Sequence, residues 1–468
     1  SLPCRRFIPN RNPRSPSSTR VAMALPMTAS IPLPDELLEE IFLRLPTLDT
    51  LACASATCTS FCRVIKGRAF RRRFRVLHRP SLLGFMDAAG FQPAQAPHPS
   101  APLAAALGPC AADFTFVPAI VSSSSYILPE EEGPRWRPCD ARDGRVLLDW
   151  ISLQPRVVKN WSYSGKGSEV SILMDRRELV DFFDDGRRLA WTKRERCNAA
   201  DFHLAICDPL SRRYVLLPTI PEDLAAQPHD RLWEFEPVLA PNTSDESEEN
   251  HFKVICIARY LKKLVLFVIQ STTMQWCMVE SPVLPCLDDM SYFDCVRGCF
   301  CWTQCWFWSD NLMVLDTCTL RFSVVNFFTG YHLKLRDTYP GFLRRRPNAV
   351  VVGREGAIEM FCLVGQHGSF ALHHTSLQDS SHEWKLEKIV QLPGQYQEYS
   401  ISTVGAAEGF LFFQGAPLGI EFQNVDCYSM DVKTYEITKI YTKMGNFFDR
   451  KRAIPYFSFP RLLSEPTI

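Results

Sequence analysis

Apolar residues recur at helical spacing from Leu33 to Ile65 and at strand-like alternation beyond about residue 113, so the chain reads as two differently built parts. In LPDELLEEIFLRLP, Leu37, Leu38, Ile41, Phe42 and Leu45 form one helical stripe. Pro34 suits a first turn, and Asp35, Glu36, Glu39 and Glu40 complement the helix dipole. Pro46 ends that helix, a second starting near Asp49 or Thr50 presents Leu51, Ala54 and Cys58, and a short third runs around Phe61 to Ile65. Three helices in about forty residues make too small a core to stand alone, so the unit needs a partner or a neighbouring domain. Next comes KGRAFRRRFRVLHRP, with Lys66, Arg68, Arg71, Arg72, Arg73, Arg75 and Arg79 and no acid, and with Phe70, Phe74 and Leu77 at helical spacing. It reads as an amphipathic connecting helix with a solvated basic face, in preference to a nucleic-acid or nuclear-import patch. Residues 80–112, rich in Ala and Pro from residue 88, read as a linker.

Beyond residue 113 short apolar runs alternate with turn residues, as in an all-β domain. One pattern recurs five times: Asp or Gln, Ser or Thr three residues on, and a bulky apolar residue three beyond that. The instances are Asp208/Ser211/Tyr214, Gln270/Thr273/Trp276, Asp316/Thr319/Phe322, Gln378/Ser381/Trp384 and Asp431/Thr434/Ile437. From first to last they average (431 − 208)/4, about 56 residues, close to a propeller blade with loop insertions. The chemistry is that of a hairpin, with the acid accepting backbone N–H bonds across the turn. A glycine also opens an apolar strand at Gly144, Gly298, Gly356 and Gly409. Gly144 precedes Asp208 by far more than Gly298 precedes Asp316, which marks 155–199 as an insertion with an expected helix near Asp175 to Phe183. TSDESEEN at 243–250 reads as a solvated acidic loop.

Composition narrows the classes. The 52 Lys+Arg nearly cancel the 51 Asp+Glu, so no global field steers the chain to nucleic acid or an anionic membrane. The longest strongly apolar run, Leu264 to Ile269, is far short of the ~20 residues that cross a bilayer. Residues 1–30, with five arginines, no acid and many Pro and Ser, are expected to be disordered. Eighteen cysteines with no C-x-x-C spacing and no signal-peptide core point to a reducing compartment, nucleus or cytoplasm, with most thiols acting as small buried hydrophobes.

No catalytic residue, metal ligand or cofactor is assigned. SGKGS at 164–168 lacks P-loop spacing, and neither a Gly-x-Ser-x-Gly elbow nor a His-Glu-x-x-His helix occurs. His373, His374 and His382 are expected to pack or lie at the surface. Cys295, Cys299, Cys301 and Cys305 have spacings unlike common zinc motifs. Trp302, Trp306 and Trp308 are expected chiefly in a blade core and are the candidate substrate-facing surface.

The segment LPDELLEEIFLRLP…ATCTSFCRVI resembles an F-box: Leu33, Pro34, Leu37, Leu38, Ile41, Leu45, Pro46, Leu51 and Cys58 match the family pattern. Phe61 stands where Trp is usual, and the second helix is richer in Ala and Cys. From LAICDPLSRRYVLLP, VLDTCTLRFSVVNF and GAAEGFLFF, residues 113–463 resemble the F-box-associated β-propeller of plant, particularly grass, F-box proteins, without kelch Gly-Gly doublets or a Trp-Asp dipeptide. The resemblance implies a multidomain chain, a small all-α F-box with its connecting helix over 31–79 and then an all-β propeller of about six blades. It also implies a non-catalytic adaptor, whose F-box docks on a Skp-type linker of a cullin-RING ubiquitin ligase while the propeller binds an unidentified protein target. The expected docking residues are Leu33, Pro34, Leu37, Leu38, Ile41, Leu45, Leu51, Cys58 and Phe61, with Leu37, Ile41 and Leu45 as anchors. The alternatives are a non-ligase F-box scaffold, whose apolar stripe would be buried within the chain, and a propeller enzyme or carbohydrate-binding module, which needs polar groups converging on the central channel.

Overall fold

The computed structural model describes residues 33–45, 48–87, 90–107, 112, 114, 135–151, 153–157, 180–184, 187–193, 198–226, 232–241, 251–260, 263–281, 293–303, 311–339, 348–352, 357–366, 369–378, 380–394, 399–417, 423–445 and 453–458. The chain divides into two compact units, residues 1–70 and 71–468. In the first, α1 (Asp35–Leu43), α2 (Leu48–Thr57) and α3 (Thr59–Lys66) follow in close succession. Leu38, Phe42, Leu43, Leu51, Val64 and Ile65 are buried, and the Phe42 ring meets Phe61 edge-on at 5.1 Å. The basic stretch is helical as its periodicity requires, α4 (Arg68–Leu77), and straddles the division between the units.

The second unit is a six-blade propeller. Five blades are antiparallel four-stranded sheets in chain order. Blade 1 uses Arg135–Arg142, Arg145–Ile151, Leu204–Asp208 and Arg213–Leu216, and blade 2 Leu232–Leu239, Lys253–Tyr260, Leu264–Gln270 and Trp276–Ser281. Blade 3 uses Asp294–Val296, Cys299–Thr303, Asn311–Asp316 and Arg321–Asn326. Blade 4 uses Asn348–Val352, Ile358–Gln366, Ser369–Leu377 and Trp384–Gln391, and blade 5 Tyr399–Ala407, Phe410–Pro417, Gln423–Asp431 and Ile437–Gly445. The sixth joins both ends of the domain: the late strand Ile454–Ser458 pairs with Ser81–Asp87, which pairs with Gly90–Pro93. The stretch expected as a linker therefore supplies two blade strands and a short helix, α5 (Ala101–Ala105), and the propeller begins near residue 81. Leu82, Leu83, Phe85 and Met86, which precede the Ala- and Pro-rich part of that stretch, are buried on both faces of the closing blade.

Every seam of the ring holds its own apolar cluster. Along Lys253–Tyr260, Val254 and Cys256 pack toward blade 1 while Ile255 and Ile257 pack toward blade 3, so strand alternation fills two seams at once. Phe412, Cys427 and Ile440 meet Leu82 and Phe85 on one side of the closing blade, and Leu83, Met86 and Tyr456 meet Val146 and Ala205 on the other. Burial on both faces is why these strands read as near-continuous apolar runs.

Both recurring sequence elements are hairpins. Asp143–Gly144, Arg297–Gly298 and Glu408–Gly409 join first and second strands as two-residue loops with φ positive at both positions (53° and 75°, 50° and 75°, 49° and 73°), the backbone of type I′ turns. Gly356 lies outside the described residues. The five-fold pattern joins third and fourth strands: one oxygen of Asp208, Asp316 and Asp431 accepts two backbone N–H bonds of its own turn. The residue four positions on has positive φ in all five instances: Arg212, Met274, Leu320, His382 and Tyr435. Between the second and third strands of blade 1 the chain forms a separate three-stranded sheet from Leu153–Val157, Val180–Asp184 and Arg187–Lys193. Val180–Phe183, expected as the end of a helix, is thus a strand; VDFFD is rich in β-favouring residues, and hairpin pairing with Arg187–Lys193 outweighs its helical spacing.

Candidate functional site

On α1 the predicted stripe divides. Leu37 and Ile41, one turn apart, are 51% and 48% exposed and share one face, and Leu33 just ahead of the helix is 51% exposed, whereas Leu38 and Phe42 point into the unit's own core. Asp35 and Glu36 occupy the first turn, and the backbone N–H groups of Leu37 and Leu38 donate to the Pro34 carbonyl. Leu45 is half-buried, and Pro46 lies outside the described residues. Leu51 is fully buried and Phe61 half-buried against Phe42, so these two, with Leu38, hold the helices together instead of offering a surface. Cys58 is exposed and caps α3, its Sγ accepting from the Phe61 N–H at 3.4 Å, a local reason for cysteine there that periodicity alone does not reveal. An exposed Arg63–Asp35 ion pair at 3.0 Å links α3 to α1; in full solvent such a pair adds little stability.

In the propeller, Trp302 is a core residue, 1% exposed among Phe293, Phe300 and Phe322, and does not face a partner. Its strand is buried on both sides by blades 2 and 4, which decides between the two roles expected for it. Trp306, Trp308 and Cys305 lie outside the described residues. Cys295, Cys299 and Cys301 are protonated thiols, their pKa values pushed up by burial, and no metal-binding group of His, Cys, Asp and Glu occurs among the described residues. His373 and His374 are buried, and His374 Nε2 meets Glu359 at 2.8 Å.

Ionisable groups do converge near the first turns of blades 1 and 5. Arg142 donates its Nε–H to the Leu239 carbonyl at 3.0 Å, and desolvation of the guanidinium is opposed by the carboxylates of Asp140, Asp143 and Glu408, which hold its proton more firmly. Glu408 keeps exposed surface at its turn, yet desolvation in the concavity and then Asp143 push its carboxyl above the usual range. Nearby, buried acids tie inner strands together. Asp140 accepts from Leu239 N at 2.8 Å, and Asp294 accepts from both Val350 N and Ala406 N at 2.9 Å, bridging blades 3, 4 and 5. The polar convergence that an enzyme reading requires is therefore partly present, but two of its acids are engaged by backbone N–H groups.

Among solved structures the chain is similar to a post-proline cleaving enzyme from Rickettsia typhi (10% identity, 53% of this chain and 33% of that one, TM-score 0.27). It is also similar to the intramolecular trans-sialidase from Ruminococcus gnavus (10% identity, 68% and 80%, TM-score 0.33) and to the leech intramolecular trans-sialidase (8% identity, 68% and 57%, TM-score 0.32). It spans a third of the length of the Rickettsia enzyme, and likeness at these scores carries no inference about activity. No curated protein matches the sequence. Residues 32–73 match the F-box domain family, so the chain is a short helical F-box followed by a six-blade all-β propeller.

Proposed function

We propose that this protein is a non-catalytic substrate-recognition adaptor of a Skp-cullin-F-box ubiquitin ligase, with the F-box docking on a Skp-type linker and the propeller capturing a target protein. The observation that carries the reading is the exposed pair Leu37 and Ile41 on α1, with Leu33 exposed just ahead of the helix, inside the segment that matches the F-box family. Exposed aliphatic side chains one turn apart are what a helix offers to a partner's groove. Had the stripe been buried within the chain, the scaffold reading would have gained. The plant affiliation and a nuclear or cytoplasmic location belong to the same proposal.

Pull-down of a plant Skp-type protein by the full chain tests the reading. Leu37→Asp with Ile41→Asp is expected to abolish capture, a loss of at least about tenfold in affinity since anchor residues dominate such interfaces. Both side chains are half-exposed, so the circular dichroism spectrum and melting temperature are expected to stay unchanged. Absence of binding by the unmodified chain, or equal binding by the variant, overturns the proposal.

A further inference from the structure

The seam between blades 2 and 3 brings one lysine and two exposed thiols together at its rim. Lys253 opens the second strand of blade 2, and strand alternation puts it on the same face as Ile255 and Ile257, the face turned to blade 3. Its Nζ–H donates to the Thr317 carbonyl of blade 3 at 2.6 Å. Cys277, on the last strand of blade 2, is the cross-strand partner of Val268, which pairs in turn with Ile255, so it shares that face. Cys318 directly follows Thr317 in the turn between the third and fourth strands of blade 3. That turn is fixed: Thr317 is 2% exposed with its Oγ1 donating to the Gly298 carbonyl at 2.6 Å, and the Cys318 N–H donates to Asp316 Oδ1 at 2.7 Å.

Both thiols are exposed, whereas Lys253 is half-buried. Both stand within electrostatic reach of its amine, as does the Asp316 carboxylate. Burial lowers the Lys253 pKa and so enlarges the share of neutral amine, the form that attacks a carbonyl carbon. A thiol near neutral pH is the stronger nucleophile and takes an acyl group first, and an amine held beside it receives that group as a stable amide. We propose that Lys253 is an acylation site, loaded through the neighbouring thiols Cys318 and Cys277 from a small acyl thioester. In the first step a cysteine thiolate attacks the acyl carbon, the new S–C bond forms, and the carrier's sulfur leaves with the proton that the cysteine gave up. In the second the neutral Nζ attacks that carbon, the S–C bond to the cysteine breaks, and the amine's proton ends on the departing sulfur. No oxidant or reductant is consumed, and an ammonium beside Asp316 becomes a neutral amide. The chemistry asks nothing of the F-box and holds whether or not the chain is an adaptor.

The test incubates the full chain with acetyl-coenzyme A in phosphine-reduced buffer and reads acetyl occupancy at each lysine by mass spectrometry. A parallel sample with acetic anhydride, which needs no thiol, reports access to each amine. Lys253 is expected to exceed the exposed Lys388 and Lys433 with acetyl-coenzyme A although it is the more buried amine. In Cys277→Ser with Cys318→Ser, the ratio of its occupancy with acetyl-coenzyme A to that with acetic anhydride is expected to fall about tenfold, since an intramolecular transfer is removed, while the ratio at the other two lysines stays the same. In Lys253→Arg the acetyl group is expected to remain on Cys318 or Cys277 as a hydroxylamine-labile thioester. Lys253 occupancy no higher than at the two exposed lysines, an unchanged ratio in the double variant, or acetyl held on the wild-type cysteines with none on Lys253 overturns the proposal.

Discussion

His332 offers the sharpest test of the packing. It is 0% exposed, its Nδ1 lies 3.1 Å from the Phe327 carbonyl and its Nε2 2.9 Å from Thr375 Oγ1, with Cys362 Sγ at 3.6 Å. The geometry fits a neutral ring that donates from Nδ1 and accepts at Nε2, and Trp384 covers one face. Cys362 is held as a neutral thiol by burial, so no anion close by favours the imidazolium. Desolvation accordingly lowers the His332 pKa from 6.5 to about 4, with the Phe327 carbonyl opposing the shift in part.

Because the folded-state pKa lies below the unfolded one, the unfolded chain takes up this proton first. Stability is full above pH 6.5, falls as pH drops from 6.5 toward 4, and loses nothing more from this residue below 4. The whole shift, 6.5 − 4, corresponds to about 3 kcal/mol. Between about pH 7.5 and 5 the part that disappears is about 2 kcal/mol. Burial also lowers His98 and His373, so the wild-type slope alone would mix three residues. Urea unfolding of wild type and His332→Gln at both pH values isolates one of them. The variant is expected to lose about 2 kcal/mol less on acidification, whatever its stability at neutral pH. Equal losses in the two proteins would refute the assignment of a buried neutral imidazole.

Three further outcomes follow from the ring. Asp294→Ala leaves the N–H groups of Val350 and Ala406 without their acceptor and is expected to cost about 3 kcal/mol in denaturant unfolding, with Asp294→Asn costing less. Tyr456→Ala removes a 1% exposed ring from the closing blade, where it meets Phe91 and Phe114; about 3 to 5 kcal/mol is expected, read as a lowered urea midpoint. Gly330→Ala is expected to destabilise by at least about 1 kcal/mol and to raise hydrogen exchange in the helix Tyr331–Thr338, since both φ and the Trp384 carbonyl exclude a Cβ.

The five hairpins were legible because their chemistry is local. An Asp that accepts two N–H groups within three residues, and a positive φ four residues on, leave a mark wherever they occur. The closing blade was not legible, because Ile454–Ser458 and Ser81–Asp87 lie at opposite ends of the chain and neither carries that turn. The same contrast holds on α1. Periodicity placed Leu37, Leu38, Ile41 and Phe42 on one stripe, but which half meets the core depends on α3 packing beside it. At Trp302 residue type gave two answers, and the burial of its strand between neighbouring blades decided between them.

Closure and variation therefore occupy different parts of this propeller. The two-residue loops at Asp143–Gly144, Arg297–Gly298 and Glu408–Gly409 permit little change, because type I′ geometry fixes both positions. Arg79, just before the closing blade, is held at that end: it pairs with Asp431 at 2.9 Å, lies over Phe410 at 4.8 Å and approaches Gly409 so closely that a Cβ there would displace it. Connections that leave the second strand, or pass between blades, are free of that constraint. One carries the extra sheet between Leu153 and Lys193, and another carries the helix Tyr331–Thr338. A ring that must close uses its short turns to fix register and its long connections to differ from other rings, so recognition is sought in the latter.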